Sequence, residues 1–541
     1  MTASYVLGID VGTTALKAIA LERDRGIVAQ VERAHELLSP HPGWAEEDPE
    51  RWWTTTVEAL RELLAAVPAG DVTAIGVSGM VPAMVLLDSS GQPLRASIQQ
   101  NDARSIVEVS ELRDTVNLDE FFTITGGVPN QQNIDPRWRW LRRHEPGVIA
   151  RTVHLCGSYD FIVYRLTGQL SLEENWAAES GLYDIRERHW HLPYLEQAGM
   201  AAAILPPVRQ PTEIVGGISE EVARQTGLRA GTPVVAGSAD HVAAALAAGL
   251  TQDGDVLLKF GGAGDILYCA GKPEPDPHFY FDYHDIPDLT LVSGCMATSG
   301  SLVKWFAREL AGGAPLAVLD AEAEAIPPGA GGIIVLPYFL GEKTPIFDPS
   351  ARGVFAGVML HHTRAHLYRA ILEAVCYGFA HHLALLLQYP QTDRTKEELG
   401  ASPPPAVQQG SVYQSKPTTS SDFAPGEAKR PLRRVCAADG GSRSRLWMQI
   451  AADVVDLPVQ VVAGEAASAL GAAYVAAMGV GMFTGWNEIT RFISQGPVYQ
   501  PRSEVVERYR AGFALYRDLY ARLQTYLPGL GRLDETGGAT V

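Results

Sequence analysis

The chain has 541 residues, of which 46% are hydrophobic and 20% charged, so a large buried core and at least two domains are expected. Its 44 basic and 62 acidic side chains give a formal net charge of −18, which argues against nucleic-acid or anionic-membrane partners but allows a small nucleotide pocket. Five scattered cysteines and no basic, then apolar, N-terminal segment predict a reduced, cytoplasmic protein.

The first predicted element is an apolar run at residues 5–9 that ends at Asp10. A glycine-containing turn and a second apolar run follow, which predicts a strand, a tight turn and a strand. Glycine lets backbone N–H groups approach an anion closely, and threonine hydroxyls can donate to phosphate oxygens. Asp10 could hold Mg²⁺ through water. An ordinary hairpin is the alternative. The candidate nucleotide-binding residues here are Gly12, Thr13, Thr14 and Lys17.

Strand-like and helix-like segments then alternate, which predicts α/β layers. Residues 49–67 have a helical pattern, and 74–80 and 232–238 are apolar and strand-like. A second strand, glycine turn and strand occupies 255–269, with its turn at Gly261, Gly262 and Gly264. Two hairpins on the same plan suggest two lobes that each present a turn to one ligand, although unrelated hairpins would look alike.

A strand-to-helix junction at Gly237–His241 carries the next candidate, Asp240. A carboxylate in this position can accept the proton of an attacking alcohol. The alternative is an aspartate that caps the helix, which is a common way for a helix to begin.

Two features follow in the C-terminal half. Residues 389–432 are rich in Pro, Ser, Gln and charge, and cannot bury enough apolar area to offset their ordering entropy, so we expect a mobile surface insertion. A partner-binding role is the alternative. Beyond it, Gly440 and Gly441 precede a helix-like segment and would let a nucleotide approach the backbone, or would simply form a tight turn.

In this order, these segments resemble the FGGY carbohydrate kinases of the actin-like ATPase superfamily, over residues 4–525 outside the insertion. The resemblance is carried by GIDVGTTALKA at 8–18, GWAEEDPERWW at 43–53, DAR at 102–104, DFIVYRLTG at 160–168, GSADHVAAALAAG at 237–249, GEKTPIFDPSARGVFAG at 341–357, DGGSRSRLWMQIAADVVDLPVQV from 439 and EAASALGAAYVAA from 465.

The resemblance implies two RNase H-like lobes that close over a cleft, with a sugar-binding lobe at 1–248, an ATP-binding lobe at 249–525 and a tail at 526–541. It implies ATP and Mg²⁺ as cofactors and in-line phosphoryl transfer to a small sugar or polyol. Asp240 matches the family's catalytic base and Asp10 its Mg²⁺-associated carboxylate, and we expect both near the metal. The three glycine turns match its nucleotide-binding segments, and many relatives are homodimers.

The sequence also departs from the family pattern. The usual Gly-Thr-Ser of the second phosphate turn is Gly261-Gly262-Ala263, which removes two hydroxyl donors. Met80-Val81-Pro82 replaces the motifs of glycerol kinases and xylulokinases, and Gln100 replaces a tryptophan. We therefore expect neither glycerol nor D-xylulose, but another ketopentose or a four- to six-carbon polyol. The candidate substrate residues are Met80, Val81, Asp102, Gln132 and Asp240.

Two other functions fit parts of the sequence. A sugar or nucleotide sensor that has lost turnover would explain the missing hydroxyls at 262–263, but would not need both Asp10 and Asp240. An ATPase that acts on protein partners would share the phosphate turns, but would not need the Asp240 segment or GEKTP at 341–345. The sequence therefore favours a sugar kinase.

Overall fold

The structure is a computed structural model that describes residues 4–271, 275–388, 432–463 and 467–530. The predicted insertion at 389–432, except its last residue, and the predicted tail beyond residue 530 lie outside the described residues. The strands are β1 (Tyr5–Val11), β2 (Ala15–Glu22), β3 (Gly26–Ala34), β4 (Glu46–Glu47), β5 (Val72–Gly79), β6 (Val85–Leu87), β7 (Ser97–Ile98), β8 (His154–Cys156), β9 (Leu172–Glu173), β10 (Tyr183–Asp184), β11 (His189–Trp190), β12 (Val208–Arg209), β13 (Ile214–Gly217), β14 (Pro233–Val235), β15 (Ser238–Ala239), β16 (Asp255–Phe260), β17 (Gly264–Ala270), β18 (Tyr280–Tyr283), β19 (Thr290–Met296), β20 (Ile334–Leu336), β21 (Val354–Ala356), β22 (Arg434–Ala438), β23 (Val459–Ala463) and β24 (Ser494–Tyr499). The helices are α1 (Pro49–Ala66), α2 (Ile106–Thr115), α3 (Leu118–Thr125), α4 (Ile134–His144), α5 (Pro146–Ile149), α6 (Ser158–Thr167), α7 (Glu174–Glu179), α8 (Leu192–Ala198), α9 (Glu220–Thr226), α10 (Asp240–Ala247), α11 (Gly300–Glu309), α12 (Leu316–Glu324), α13 (Arg364–Gln388), α14 (Arg445–Val455), α15 (Ala467–Gly479) and α16 (Ser503–Leu523).

By their internal contacts, the residues form two compact units that are interleaved in sequence. The first unit comprises Met1–Gln252, Cys269–Val292 and Gly464–Ser494, and the second comprises the remaining segments. Residues 269–292 and 464–494 therefore associate with the N-terminal segment, although they lie far from it in the chain. The lobes assigned at 1–248 and 249–525 from the sequence stay a prediction.

The first unit is built on a sheet with the strand order β13-β14-β5-β1-β2-β3, in which β15 also pairs with β5. β1 is parallel to β5 and antiparallel to β2. The alanine-rich helix α15 packs on the sheet at backbone distance, because Gly8 and Gly76 have no side chain to hold it away. A Cβ at Gly8 would lie 2.0 Å from the carbonyl oxygen of Ala469, and one at Gly76 2.0 Å from that of Ala472.

In the second unit, β16 pairs antiparallel with β17 and parallel with β22, which is itself parallel to β23. Three aromatic rings join the sheet to its helices: the Phe260 ring centroid lies 4.8 Å from that of Phe379 and 5.0 Å from that of Trp447. The predicted α/β fold class is confirmed.

One described helix, α13, is long and apolar enough to cross a membrane. Its most apolar 18-residue window is 72% buried within the protein. It also carries the buried Arg369, whose Nε donates to Glu373 Oε1 at 2.8 Å, one turn further along. These are the properties of a core helix, so this segment is weak evidence for a membrane span.

Candidate active site

Asp10 lies near the end of β1, where the strand meets the first glycine turn. It is paired in register with Lys17 on β2 and with Ser78 on β5. Residues directly opposite each other on antiparallel strands place their side chains on the same face. The Ser78 hydroxyl donates to Asp10 Oδ1 at 3.0 Å. The structure therefore brings Asp10 and Lys17 together beside the turn that carries Gly12, Thr13 and Thr14.

The first glycine turn contacts residues to which the sequence analysis assigned no role. His35 Nε2 lies 2.5 Å from the Gly12 carbonyl oxygen, and the His35 amide donates to the Thr14 carbonyl at 3.0 Å. Glu47 Oε2 lies 3.3 Å from the same imidazole nitrogen and accepts from Trp52 Nε1 at 2.7 Å. The GWAEEDPERWW segment thus supports the first glycine turn. Its tryptophan and glutamate were part of the family resemblance, but their partner His35 gave no signal in the sequence.

Asp240 is placed on the same edge of the sheet as Asp10. Ser238 on β15 is in register with Ser78 on β5, and Ser78 is in register with Asp10 on β1. Asp240 follows two residues after Ser238 and is the first residue of α10. Since β1, β5 and β15 are parallel, both carboxylates lie at their carboxyl ends. The cap of α10 is Ala239, not Asp240, and no side chain caps it.

The Asp240 carboxylate is in contact with the next residue, His241. Oδ1 accepts from the His241 amide at 2.6 Å and lies 3.5 Å from its Nδ1. His241 Nε2 in turn lies 3.1 Å from Oδ2 of Asp282. Burial would lower the pKa of His241, but the charge of Asp282 and hydrogen bonding to Asp240 and Asp282 outweigh it and raise this pKa well above its usual value. Burial and the nearby Asp282 raise the pKa of Glu179 well above its usual value.

The candidate substrate residues in the first unit differ in exposure. Met80 and Val81 are 1% and 3% exposed, and the Ser158 hydroxyl donates to the Met80 carbonyl at 2.8 Å. Gln132 is half-buried, and its side-chain amide donates to Gln100 Oε1 at 3.1 Å. The candidate substrate residue Gln132 is thus joined to Gln100, which replaces the family tryptophan.

Asp102 is fully buried and its carboxylate has several partners. Oδ2 accepts from the Ala45 amide at 2.6 Å and from Arg104 Nη2 at 2.8 Å. The Arg104 guanidinium lies over the ring of Trp44, 3.8 Å from its centroid. These contacts join the DAR segment to GWAEEDPERWW and give Asp102 a structural role. Its contact with substrate stays a prediction.

The second unit carries the other two glycine turns. The carbonyls of Gly261 and Gly262 accept from the amides of Gly300 and Ser299, at 2.8 and 2.9 Å, at the start of α11. Gly262 is exposed, whereas Gly264 is buried and a Cβ there would lie 2.5 Å from Met296 Cε.

The third turn lies beside the second. A Cβ on Gly261 would lie 3.2 Å from Oδ2 of Asp439, the residue that precedes Gly440 in the chain. A Cβ on Gly440 would meet no atom within 4 Å, whereas one on Gly441 would lie 2.7 Å from Phe260. The structure therefore brings the second and third turns together, with open space at Gly262 and Gly440 and tight packing at Gly264 and Gly441.

Two strand-end carboxylates beside a glycine turn can hold Mg²⁺ and accept a proton, which is the arrangement expected of a phosphotransferase. Models of the N-terminal and C-terminal domains of the FGGY family of carbohydrate kinases match residues 5–247 and 270–480. The chain belongs to the FGGY family of carbohydrate kinases.

Individual relatives can be aligned with nearly the full length of the chain. A xylulose kinase from Bacillus subtilis is 30% identical over 521 residues, which is 95% of this chain and 96% of the relative. The crystal structure of xylulose kinase from Rhodospirillum rubrum has a TM-score of 0.86 and 41% identity, and covers 97% of this chain and 99% of its own. A gluconokinase from Bacillus subtilis is 24% identical and covers 97% of this chain and 99% of its own.

The predictions of the family, the fold, the enzyme class and the cofactors are thereby confirmed. The protein is an enzyme that transfers a phosphoryl group from ATP, with Mg²⁺, to a hydroxyl group of a small sugar or polyol. This rules against the non-catalytic sensor and against the ATPase for protein partners. The donor set fits the metal, because Asp10 and Asp240 offer the hard carboxylate oxygens that Mg²⁺ prefers.

Proposed function

We propose that this kinase phosphorylates a ketopentose, with xylulose as the first sugar to test, and that Asp240 is its general base. The observation that carries the proposal is that Asp10 and Asp240 share the carboxyl edge of one sheet, beside a glycine turn. The choice of sugar is supported by two relatives, from Bacillus subtilis and Rhodospirillum rubrum, each of which is named as a xylulose kinase.

This choice reverses our expectation from the sequence that D-xylulose is not the substrate. That expectation took the segment Met80-Val81-Pro82 as part of the sugar contact surface. Both Met80 and Val81 are buried, so a change of residue type there alters packing before it alters contacts with a ligand. The roles of Met80, Val81, Asp102 and Gln132 toward the sugar stay predictions.

In the proposed mechanism, the hydroxyl oxygen of the sugar attacks the γ-phosphorus of ATP, and Asp240 accepts the proton of that hydroxyl group. Asp10 and Asp240 would hold Mg²⁺, which when bound neutralises negative charge on the phosphoryl group. The Gly12 N–H donates to the Ala15 carbonyl at 3.2 Å and shapes the turn, so the backbone N–H groups and hydroxyls of Thr13 and Thr14 would donate to phosphate oxygens. Lys17, opposite Asp10 in register, would add positive charge on the same face.

On the nucleotide side, we assign two turns of the second unit. Gly261 and Gly262 would offer backbone N–H groups to the phosphates, since the turn is exposed at Gly262. Gly264 would serve by packing, as its surroundings leave no room for a side chain. Gly440 and Gly441 would let the adenosine approach the backbone.

The sugar is tested by ADP release with a panel of ketopentoses, alditols, glycerol and gluconate. We expect xylulose to give the highest kcat/KM. If a sugar acid such as gluconate gives a higher value than every ketopentose, the proposed substrate class is wrong.

The base is tested with Asp240→Asn in the same assay. The amide is nearly isosteric but cannot accept the proton, so a loss of about 10²- to 10⁴-fold in kcat is expected, with an unchanged melting temperature and sugar-binding isotherm. Activity within about threefold of the parent would contradict the assignment, because a general base contributes far more than that. A collapsed melting transition would indicate a structural role instead.

Two coarser expectations complete the proposal. We infer a cytoplasmic location, which fits five cysteines that are all free thiols. We also infer a homodimer, as the family resemblance implies, and light scattering after size exclusion measures its mass directly.

A further inference from the structure

His241 occupies an unusual position, because its ring lies between two carboxylates. Its amide donates to Asp240 Oδ1 at 2.6 Å, and its Nδ1 is 3.5 Å from the same oxygen. On the other side of the ring, Nε2 is 3.1 Å from Asp282 Oδ2. The imidazole therefore bridges the proposed base and a second acidic residue 42 positions further along the chain.

The second carboxylate is firmly anchored. Asp282 lies on β18, and its side chain is only 3% exposed. The next residue, Tyr283, is held through its backbone by Asn175 of α7: its amide donates to Asn175 Oδ1 at 2.8 Å, and Asn175 Nδ2 donates to its carbonyl at 3.0 Å. Both Tyr283 and Asn175 are buried. Asp282 thus offers His241 a fixed partner.

The same helix brings a third acidic residue to the group. Glu179 ends α7, and one ligand atom from each of Glu179, His241 and Asp282 lies within 4.8 Å of the others. The Glu179 carbonyl accepts from Asn133 Nδ2 at 3.0 Å, which joins the group to the polar run at 130–133. The side chains of His241 and Asp240 remain 25% and 32% exposed, so the group opens to solvent at the base.

We propose that His241 is a positioning residue for Asp240: its ring, anchored by Asp282, holds Oδ1 and leaves Oδ2 to accept the proton. The inference rests on the proposed role of Asp240. In the step that it serves, the acceptor O–H bond breaks and the proton passes to Oδ2. The freed oxygen bonds to the γ-phosphorus, while the bond to the β-phosphate oxygen breaks and ADP leaves with the electron pair. The proton is then released from Asp240 to water.

The test uses a matched pair of variants. Gln places its amide nitrogen near the position of Nε2, so His241→Gln keeps the contact with Asp282 and loses the side-chain donor beside Asp240. Asn places its nitrogen near the position of Nδ1, so His241→Asn keeps that donor. We expect His241→Gln to lower kcat about 10- to 100-fold, the scale of a misplaced reacting group, while KM for ATP and the melting temperature stay unchanged. His241→Asn should recover part of the loss.

Two further variants complete the test of His241. Asp282→Asn removes the negative charge that holds the His241 ring without touching residue 241, so it should also lower kcat and keeps the proposal testable if His241→Gln folds poorly. His278→Gln is the control, because His278 pairs with Asp276 at 3.0 Å elsewhere in the same unit and should have parental kinetics.

Three results would overturn the inference. Parental kcat in both His241→Gln and Asp282→Asn would show that the bridge does not position the base. A rise in KM for the sugar with kcat unchanged would make His241 a binding residue. Stoichiometric Zn²⁺ in the purified wild type that is lost in His241→Asn would make the group a metal site. Asp240→Asn is measured in parallel: if it is inactive, only the role of His241 is at stake, and if it is active, the proposed base itself is wrong.

Discussion

The second glycine turn, Gly261–Gly264, lacks the two hydroxyl groups that the family resemblance leads us to expect, and restoring them tests whether the turn binds ATP as we propose. The double substitution Gly262→Thr and Ala263→Ser fits the structure. A Cβ on Gly262 would meet no atom within 4 Å, and residue 263 is half-buried. The turn is held from behind, because the Gly262 carbonyl accepts from the amides of Ser299 and Ser301, at 2.9 and 3.0 Å. The new side chains therefore need no rearrangement of the backbone.

The expected gain follows from the number of new donors. Each hydroxyl can make one charge-assisted hydrogen bond to a phosphate oxygen, worth about 1.5 to 3 kcal/mol at best. Ordering each side chain costs part of this, so we expect about 1.5 to 3 kcal/mol for the pair, or roughly a 10- to 100-fold lower Kd for the nucleotide. Since no clash is introduced, the melting temperature of the free protein should not change.

Calorimetry with a non-hydrolysable ATP analogue and Mg²⁺ measures the effect. The single variant Ala263→Ser is the internal control, and it should give about half of the gain. An unchanged Kd in the double variant would refute the reasoning, because it would mean that backbone N–H groups already satisfy the phosphates. A weaker Kd with an unchanged melting temperature would mean that the nucleotide itself occupies the space beside Gly262.

Two more predictions concern stability. Gly8→Ala should destabilise the protein by about 1–3 kcal/mol or more, since its Cβ would lie 2.0 Å from the Ala469 carbonyl oxygen. The control is Gly70→Ala, whose Cβ would meet nothing within 4 Å and which should leave the stability unchanged. Thermal unfolding of the two variants makes the comparison. Glu342 has a pKa raised by burial to about 8, against an ordinary 4.5, so the folded state binds the extra proton and stability falls as pH rises through this range. Glu342→Gln should remove this contribution to the pH dependence of stability, which is about 1.4 kcal/mol per pH unit at most. Urea unfolding at several pH values measures the slope of unfolding free energy against pH, and the same slope in the parent and the variant would contradict the prediction.

Much of the local structure could be predicted because its signals are local. The apolar run at 5–9 predicted a strand that the structure extends to Tyr5–Val11, and the pattern at 49–67 predicted a helix that runs from Pro49 to Ala66. The helix-like segment after Gly440 and Gly441 is α14. Periodicity and glycine turns suffice for such elements, because each depends on neighbours within a few residues.

Contacts over long sequence separations could not be predicted in the same way. Asp102 is a candidate substrate residue, but nothing in the sequence indicates that its buried carboxylate accepts from the Ala45 amide, 57 positions away. His35 and Glu47 support the first glycine turn from 23 and 35 positions beyond Gly12, and nothing in their spacing points to it. His241 lies within a family motif on α10, but its partner Asp282 lies on β18, 41 positions further along the chain.

The C-terminal signature of the family gains a physical reason from the interleaved first unit. Gly8 and Gly76 are in register on β1 and β5, and both are needed for α15 to approach the sheet. Two residues further along each strand, on the same face, lie Asp10 and Ser78.

The Ser78 hydroxyl, which contacts Asp10, is also 3.3 Å from the carbonyl oxygen of Ser468, in the first turn of α15. Ser468 of α15 is thus joined to the side chain that contacts Asp10. A segment more than 450 positions from Asp10 in the chain thus sets the packing of β1 and contacts the serine that donates to Asp10. For this reason Gly8→Ala should lower kcat by more than the unfolded fraction of the sample explains, because pushing α15 away displaces Ser78 and Asp10 together.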